Sequence, residues 1–585
     1  MQPEVLSLSA YPLSQRFQDS LAVVIGQPYQ RATLGDLREL KPATLILTLW
    51  RMRPDRLILP LEDENSTALL PIVRLIAGFT RAHRIEIVGP DLRVVQVSRL
   101  GTLIDVARFV GASISSAVRA TLSAAELRSL LKKPRIAVAA DDSLRRVLYL
   151  KTNLWMGIKA GGSIGHIAGV INGLHQAGYG VTFASAEPPV MVDPAVKLLH
   201  VAPPATFGMP YGLNNYRFQA SFARAASQVL RTTPFGIIYQ RLSAANYLGV
   251  VLSRRFKLPL VVEYNGSETW IARNWGRAMS FNGLATMAEE AMLAHAHLVV
   301  TISDVLRDEL IARGVAPDRI VTYPNCIDPE VFDPERFSPT ERNALRARYG
   351  ITPDSQVAAF IGTFGQWHGA EVLAQAIAKL ALEQRDWVAK HKCHFMLIGD
   401  GPKMKDVQLR IEQAGASDIC TITGLVPQAE APLHLASADY LISPHVANAD
   451  GSKFFGSPTK LFEYMAMAKG IYGSRLDQIE HVLSPSLDVL AVSPDLPGPS
   501  SDDDSTAILG QPGDVDALVE GIKFLVERPD WARHLARNAR AKALSQYTWA
   551  HHVGAILDAF GSLPANESTT RPDARTPASQ GRRLG

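Results

Sequence analysis

Cysteine is scarce in this chain, with Cys326, Cys393 and Cys420 as the three cysteines among 585 residues. Their odd number and wide spacing argue against a disulfide framework and against a CxxC metal site. The sequence therefore predicts three buried free thiols. No other cluster of potential ligand residues has metal-binding spacing, so neither a metal nor a cofactor is expected.

Long uncharged apolar runs are also lacking. No stretch of about 18 such residues is visible, and the opening MQPEVLSLSAYPLSQRF lacks the basic start and apolar core of a secretory signal. These absences predict a soluble or peripheral protein that stays in the cytoplasm. No aromatic-rich basic patch or nucleic-acid module is present, so nucleic acid is not an expected partner.

The composition, 47% hydrophobic and 20% charged, is that of a globular protein long enough for about three domains. The small net charge of +4 is unevenly placed, because the first 150 residues carry 20 basic and 14 acidic side chains. Residues 93–135 include eight basic and two acidic residues, and a capping box at Ser123 and Glu126 predicts a helix start there. Such basic amphipathic helices either lie on an anionic membrane or are ordinary helices with solvated arginines. We hypothesise that this region docks on the inner face of the cytoplasmic membrane or presents an acceptor.

The order of apolar segments predicts the domain organisation. Near the start, the β-type runs ATLILTLW, RLILPL and RIEIV surround the helical STALLPIVRLIAGFTRAH, which predicts a small α/β unit. From RRVLYL onward, apolar strands alternate with helices, and the alternation restarts at VAAFIGTFG. Two such series predict two Rossmann-like domains with a cleft between them. The predicted domains are 1–143, 144–333 and 334–563, followed by a disordered tail at 564–585.

The segment SPTKLFEYMAMAKG predicts a short helix with Ser457 as N-cap, Pro458 at the first position and Gly470 just past its end. A lysine in the first turn meets the positive end of the helix dipole, which is unfavourable unless an anion lies nearby. Lys460 and the free amides therefore predict a phosphate site, and Glu463 could accept hydrogen bonds from ribose hydroxyls beside it. A surface ion pair between these two residues is the alternative.

In this order, the motifs resemble those of the GT-B glycosyltransferases, specifically the large retaining family of bacterial polysaccharide and lipid-linked sugar transferases. The motifs are GGSIGH, VTISDVLRDEL, YPNCIDPEVF, FIGTFGQWHG, LIGDGP, TGLVP, ADYLISP, SPTKLFEYMAMAKG and QPGDVDALVEGI. The resemblance covers about residues 145–557 and implies an α/β fold of two Rossmann-like domains facing a cleft. The first 140 residues lie outside it.

In the first of these two domains, the resemblance implies contacts to the donor sugar or the acceptor. Gly161 and Gly162 leave room for a ligand near a helix N-terminus, although a tight turn explains them too. His166 would line this loop or simply pack. Asn265 and Glu268 follow a strand at the edge that faces the cleft, where Asn265 could equally hold a turn.

In the second domain, the sequence departs from the family pattern. Thr363 and His368 stand where the family supplies an arginine and a lysine to the diphosphate, so Lys460 has to carry more of that interaction, with help from His368 when protonated. By resemblance, Gly399, Gly401 and Val426 lie near the base and ribose, although a turn at the end of a strand explains the glycines as well.

The family also has two glutamates eight residues apart. Glu463 matches the second and Phe455 occupies the position of the first. What replaces the missing carboxylate is open. The candidates for contacts to the donor sugar and phosphate lie in one loop and are Asp450, Lys453, Phe454, Phe455, Gly456 and Ser457.

The resulting expectation is transfer of a sugar from a nucleoside diphosphate to a glycan or lipid-linked acceptor, with retention and with no protein nucleophile. The expected partners are a nucleotide sugar, that acceptor and an anionic membrane. A non-catalytic partner subunit and a nucleotide-sugar epimerase are the alternatives.

Overall fold

The computed structural model describes residues 4–563 apart from 12, 39–40, 100, 139–143, 155–160, 277 and 494. Its strands form three sheets of five, seven and seven strands, which we call the sheets of the first, second and third units in chain order. The predicted tail 564–585 lies outside the described residues. The domain boundaries proposed from the sequence stay predictions.

The first unit is a small α/β structure with strand order β2-β1-β3-β4-β5, in which β5 alone runs antiparallel to its neighbour. Its strands are β1 (Val5–Ser9), β2 (Gln30–Thr33), β3 (Arg56–Pro60), β4 (Arg84–Val88) and β5 (Val94–Gln96). Its helices are α1 (Gln15–Ile25), α2 (Leu34–Arg38), α3 (Pro42–Arg51), α4 (Leu70–Gly78) and α5 (Gly101–Leu130).

The prediction that ATLILTLW is a strand is wrong, because this segment forms most of the helix α3. Pro42, directly before the segment, favours a helix N-terminus. Leu49 is buried on one side of this helix, whereas Ile46 and Trp50 are exposed on the other. A short run of consecutive apolar residues fits a buried strand and a helix equally well. Here, tertiary packing favours the helix.

The predicted helix start at Ser123 is also wrong. The helix α5 continues from Gly101 to Leu130, and Ser123 is buried within it. Its small side chain suits a buried helix interface, while Glu126 accepts a hydrogen bond from Tyr247 Oη of the second unit at 2.7 Å. The helix is long and apolar enough to cross a membrane by length and composition alone, although charged residues such as Arg108 and Arg119 interrupt its apolar segments.

The second unit has a fully parallel sheet with strand order β12-β11-β10-β9-β6-β7-β8. Its strands are β6 (Arg146–Lys151), β7 (Gly180–Ser185), β8 (Lys197–His200), β9 (Ile237–Arg241), β10 (Leu260–Tyr264), β11 (Leu298–Thr301) and β12 (Ile320–Thr322). Its helices are α6 (Gly162–Gln176), α7 (Asn214–Thr232), α8 (Leu248–Phe256), α9 (Glu268–Asn274), α10 (Asn282–His295) and α11 (Asp304–Ala312).

The third unit repeats this plan with strand order β15-β14-β13-β16-β17-β19-β18, again parallel. Its strands are β13 (Gln356–Ile361), β14 (Cys393–Ile398), β15 (Cys420–Gly424), β16 (Tyr440–Ser443), β17 (Gly470–Ser474), β18 (Leu487–Asp488) and β19 (Ile508–Gly510). Its helices, together with the last two of the chain, are α12 (Pro339–Arg348), α13 (Ala370–Glu383), α14 (Arg385–Lys390), α15 (Met404–Gln413), α16 (Ala431–Ala436), α17 (Thr459–Ala466), α18 (Asp477–Leu483), α19 (Val515–Glu527), α20 (Pro529–Gln546) and α21 (Trp549–Gly561).

Both large sheets reverse their strand order beside their first strand, between β6 and β9 and between β13 and β16. Ligands of open parallel sheets bind outside the carboxyl ends of the strands at such reversals. The strands are buried on both faces, as in the run from Val147 to Leu150, because helices cover both sides. The predicted alternation of strands and helices therefore matches the observed fold.

The chain returns to the second unit at its end. The helix α21 packs against α6, where the Trp549 indole lies on Gly169, and Ile327 forms a parallel bridge with Thr548. This return and the crossing segment near Asn325 connect the second and third units at two places. All three cysteines are free and buried, as predicted.

Candidate active site

A cavity of about 410 Å³ lies between the second and third units, at the carboxyl ends of their strands. Its volume is within the usual range for small-molecule sites. Most of the site residues predicted from the sequence line it, namely Gly161, Gly162, His166, Asn265, Thr363, His368, Gly399, Val426, Phe455, Gly456, Ser457, Lys460 and Glu463. The structure thus brings together residues from both predicted domains.

Lys460 lies at the start of α17, which begins at Thr459 and leaves Lys460 in its first turn. Only 5% of Lys460 is exposed, and its Nζ has no hydrogen-bond partner among the described residues. The ammonium group lies 4.0 Å from the centre of the Phe360 ring. Burial lowers the pKa of Lys460 to about 7. A buried cation without a partner is costly, so this site favours an anionic ligand.

The backbone is shaped around this lysine. A side chain at Gly362, at the end of β13, would place its Cβ 2.5 Å from Lys460 Nζ. Gly362 also has a φ of +153°, which side chains rarely adopt. Glycine at this position therefore allows the ammonium group to reach the cavity.

Glu463 lies one turn after Lys460 and also lines the cavity. Burial raises the pKa of Glu463 to about 7. Because Lys460 is buried, the pair is not the surface ion pair that the sequence left as an alternative. Both side chains instead border the same space.

The predicted caps of this helix are wrong. Pro458 is the N-cap, while Ser457 Oγ accepts a hydrogen bond from the backbone N–H of Asn325 at 2.9 Å. Ser457 therefore joins the crossing segment to the start of α17. At the other end, α17 finishes at Ala466, and Gly470 is the first residue of β17.

His368 lies beside Lys460 but does not provide positive charge. Its ring stacks on Trp367 with centroids 3.7 Å apart. Burial, with a smaller contribution from the charge of Lys460, holds the pKa of His368 well below its usual value. The neutral ring is therefore favoured in the free protein, and its buried Nδ1 has no hydrogen-bond partner among the described residues. Help from a protonated His368 beside a bound diphosphate stays a prediction.

The helix N-termini of α6 and α17 meet across the cavity. A Cβ at Gly162 would lie 2.7 Å from Thr459 Oγ1, so a side chain there would meet the opposite wall. The backbone N–H of Gly161 donates to Gln428 Oε1 at 3.2 Å. Two helix N-termini thus face one space, an arrangement that favours anions.

The wall formed by the second unit contains a buried carboxylate, Glu263 on β10. Its oxygens accept hydrogen bonds from Arg241 Nη1 at 2.6 Å, Asn265 Nδ2 at 2.7 Å and Tyr239 Oη at 3.1 Å. His166 Nε2 lies 2.8 Å from Glu263 Oε1. Burial alone would raise the pKa of Glu263, but the charges of His166 and Arg241 outweigh it and hold the pKa well below the usual range.

His166 is fixed from both sides of its ring. Its Nδ1 forms a hydrogen bond with Asn325 Oδ1, and the Asn325 amide donates to the carbonyl of Ser457. A connected set of polar groups therefore runs from Glu263 in the second unit to the start of α17 in the third. His166 is positioned for the cavity rather than merely packed.

Aromatic rings close one end of the cavity. Trp275 lies between Trp367 and Phe455, with ring centroids 5.4 Å and 5.0 Å away. Phe455 also contacts Trp270 at 5.3 Å. Phe455, at the position where the resemblance leads us to expect a carboxylate, thus belongs to an apolar contact between the two units.

Five predicted residues lie outside the cavity wall. Glu268 begins α9, and burial raises its pKa to about 7. Gly401 packs on the backbone of Phe364, and Phe454 donates its N–H to Asp477 at 2.9 Å. Asp450 accepts from Ser452 within its own turn, and Lys453 is exposed. Short sequence motifs do not distinguish turns and packing from ligand contacts, and the predicted ligand contacts of these five residues stay predictions.

The sequence reasoning missed Arg241, Glu263 and Trp275. Arg241 ends the strand GIIYQR, and Glu263 is the charged residue inside LVVEY. A charge within an apolar strand, or at its carboxyl end, was the available signal. No sequence signal connects Trp275 with Trp367, because these rings come from different units.

Comparison with known families agrees with this geometry. Residues 161–326 match the family described as Glycosyl transferase 4-like domain, and residues 355–528 match the family described as Glycosyl transferases group 1. Together the two matches cover more than half of the chain. The chain belongs to the GT-B group 1 glycosyltransferases.

Solved structures show the same fold. The GT-B chain aligns with Anabaena HepE, solved in complex with UDP and glucose, with a TM-score of 0.52 and 15% identity over 72% of this chain and 100% of that chain. Sucrose-phosphate synthase from Thermosynechococcus elongatus aligns with a TM-score of 0.52 and 16% identity over 71% and 97% of the two chains. The predicted fold class, including the additional N-terminal α/β unit, is confirmed.

Relatives in sequence match parts of this GT-B protein. A 2-deoxystreptamine glucosyltransferase of Streptomyces kanamyceticus is 29% identical over 28% of this chain and 40% of its own length. An alpha-D-kanosaminyltransferase of the same organism is 22% identical over 52% of this chain and 71% of its own length. A D-inositol 3-phosphate glycosyltransferase of Mycobacterium tuberculosis is 27% identical over 34% of this chain and 41% of its own length. For the first and third of these relatives, the match spans less than half of the relative.

Proposed function

We propose that this protein transfers a sugar from a nucleoside diphosphate to a hydroxyl group of a glycan or lipid-linked acceptor, with retention at the anomeric carbon. The observation that carries the proposal is Lys460, a buried ammonium group in the first turn of a helix that has no hydrogen-bond partner among the described residues. A diphosphate supplies the missing negative charge. The relatives with names that specify cyclitol acceptors support a polyhydroxylated acceptor.

In the proposed reaction, the bond between the anomeric carbon and the phosphate oxygen breaks, and its electron pair stays on the phosphate. The acceptor oxygen bonds to the anomeric carbon from the same face, and its proton passes to the departing phosphate. Negative charge therefore develops on the diphosphate, where Lys460 and the amides of α17 stabilise it. No protein nucleophile is needed.

The other residues hold the substrates in place. Glu463 binds ribose hydroxyls beside the diphosphate, and Val426 lies near the base. On the opposite wall, His166 and Arg241 are held by Glu263 and face the donor sugar or the acceptor. Because these groups are already hydrogen-bonded, they position substrate without large rearrangement.

The test is Lys460→Ala, assayed for transfer with a donor chosen by thermal shift from a panel of nucleotide sugars. Loss of a group that stabilises the leaving charge is expected to cost about 2.7–4 kcal/mol, or roughly a hundredfold to a thousandfold in kcat. Lys469→Ala is the matched control, since burial also lowers the pKa of Lys469 but this residue does not line the cavity. Unchanged transfer by Lys460→Ala would refute the role of Lys460, and the anomeric configuration of the product tests retention.

A non-catalytic partner subunit is the second candidate. Phe455 packs against Trp275 at the position of an expected carboxylate, and Thr363 and His368 provide no fixed charge. This candidate predicts that the wild type binds a nucleotide sugar but does not transfer the sugar. It also predicts that the wild type and Lys460→Ala bind a partner transferase equally well. Transfer by the purified wild type would exclude it.

A further inference from the structure

The helix α5 has the reverse of the usual amphipathic arrangement. Its face toward the protein carries small and polar side chains, including Asp105, Ala112, Ser116, Ala120 and Ser123, which are all buried. Most of its large aliphatic side chains point to solvent, namely Leu103, Ile104, Val110, Ile114, Val118 and Leu122, whereas Leu127 and Leu130 near its end are buried. Exposure reaches 69% at Leu103, 61% at Ile114 and 57% at Leu122. A soluble helix normally buries the larger apolar residues, so this face is built to be covered.

The exposed aliphatic residues form one continuous stripe. Their spacing of four residues from Val110 to Leu122 keeps them on one face of the helix. At about 1.5 Å per residue, the stripe from Leu103 to Leu122 is about 30 Å long. The positions between them on that face are small, as at Ala107 and Gly111.

Basic side chains border this stripe. Arg108, Arg119 and Arg128 are exposed along the helix, and Lys132 and Lys133 follow its end. The two acidic residues of the helix already have partners, since Asp105 pairs with Arg74 at 3.0 Å and with Arg108 at 3.7 Å, and Glu126 accepts from Tyr247. The surface therefore combines an apolar strip with a positive border.

We propose that α5 docks the protein on the surface of an anionic lipid bilayer, with the stripe of Leu103, Ile104, Val110, Ile114, Val118 and Leu122 in the acyl boundary. Aliphatic residues without directional hydrogen-bonding groups fit a fluid hydrocarbon surface, and the flanking arginines complement anionic headgroups. This proposal does not depend on the reaction catalysed in the cleft.

The helix lies on the bilayer rather than crossing it. Although α5 is long and apolar enough to span, its inner face is held to the protein by polar contacts along its length. Asp105 pairs with Arg74 of the first unit, and Ser116 donates to Asn214 Oδ1 of the second unit at 3.1 Å. Spanning would expose these polar groups to hydrocarbon, which is expensive.

A second copy of the chain fits the stripe of α5 less well than a lipid bilayer does. An antiparallel two-fold pairing centred on the stripe would place Arg108 of one copy near Arg119 of the other. Such a contact repeats the same surface on both sides and offers no further carboxylate to Arg119 or to Arg108, which has only Asp105 of its own helix at 3.7 Å. Lipid phosphates provide that charge.

The experiment is co-sedimentation of the full chain with vesicles of phosphatidylcholine alone or mixed with phosphatidylglycerol. Wild type is expected to bind the mixed vesicles and to be released by high salt. The triple variant Ile114→Gln, Val118→Gln, Leu122→Gln should bind at least tenfold more weakly. The matched control is Leu382→Gln with Leu409→Gln, which removes exposed leucines from the third unit and should leave binding unchanged.

A second variant separates charge from apolar insertion. Arg119→Gln with Arg128→Gln should remove most of the preference for phosphatidylglycerol while the stripe remains intact. Circular dichroism and the melting temperature of each variant verify that it is folded. Sedimentation velocity without lipid reports whether the stripe pairs two copies.

Three results would overturn the proposal. One is equal binding of wild type to neutral and anionic vesicles, or no binding to either. Another is full binding by the folded triple variant. The third is a wild-type dimer that the triple variant dissociates, without any vesicle binding, which would assign the stripe to a second copy.

Discussion

The two walls of the cleft differ in the hydrogen bonding of their buried charged groups. On the wall of the second unit, the carboxylate of Glu263 accepts hydrogen bonds from Arg241, Asn265 and Tyr239. On the wall of the third unit, the ammonium group of Lys460 lies over the Phe360 ring and has no hydrogen-bond partner among the described residues. Among the described residues, the buried charge of one wall is hydrogen-bonded in the free protein and the buried charge of the other is not.

This difference assigns different tasks to the two walls. A satisfied network gives fixed positions to His166 and Arg241 and stabilises the second unit. An unsatisfied cation lowers the stability of the free protein and favours binding of an anion instead. The comparison therefore predicts that changes at Glu263 act on folding and that changes around Lys460 act on ligand binding.

Replacing the carboxylate of the satisfied wall should have the largest effect on stability. Glu263→Gln leaves Arg241 buried without its counter-charge, and breaking such a pair costs about 3–5 kcal/mol. Urea denaturation should show this loss as a lower midpoint. Glu290→Gln is the control, because its half-exposed ion pair with Arg313 is worth about 0–1 kcal/mol. Equal midpoints for Glu263→Gln and wild type would show that the network contributes little to folding.

A smaller effect is expected from crowding the unsatisfied wall. Gly362→Ala places a Cβ 2.5 Å from Lys460 Nζ, and such overpacking costs about 1–3 kcal/mol. Because the ammonium group has to move, affinity for UDP should fall by about tenfold or more as measured by calorimetry. Gly554→Ala, where a Cβ meets nothing within 4 Å, should bind UDP normally. Normal affinity in Gly362→Ala would mean that Lys460 does not hold the diphosphate from its observed position.

The smallest expected effect is the dependence of UDP affinity on pH. Burial lowers the pKa of Lys460 from 10.5 to about 7, and a bound diphosphate favours the protonated lysine. Binding therefore takes up a proton above pH 7, and UDP affinity should fall as the pH rises, by up to about tenfold per unit. Calorimetry in two buffers of different ionisation enthalpy measures this uptake. Lys460→Gln should bind more weakly and lose this pH dependence.

The same pKa values affect the free protein in the opposite sense. Because Lys460 holds fewer protons when folded than unfolded, its contribution to stability increases as the pH rises from about 7 to about 10.5. Glu463 has a pKa raised from 4.5 to about 7 and holds more protons when folded, so its contribution to stability decreases as the pH rises from about 4.5 to about 7.

For the binding experiment, a rise of UDP affinity with pH above 7 would contradict the assignment of Lys460 as the cation.

Local sequence patterns predicted the regular parts of the fold. Apolar runs such as Val147 to Leu150 became strands buried on both faces, and the three cysteines are free thiols as expected. The same reasoning failed at α3 and at Ser123, where a short pattern fits more than one structure. Lys460 was found because a cation in a first helical turn conflicts with the helix dipole, a conflict that is visible locally.

The sequence by itself determined the order of strands and helices, the two Rossmann-like repeats and the unusual position of Lys460. Only the tertiary structure decided that Glu263 joins His166 and Arg241, that Trp275 stacks with Phe455, and that α5 turns its aliphatic side chains outward. The physical reason is distance along the chain. Periodicity and capping act within a few residues, whereas these contacts and exposures depend on which surfaces meet when distant segments pack.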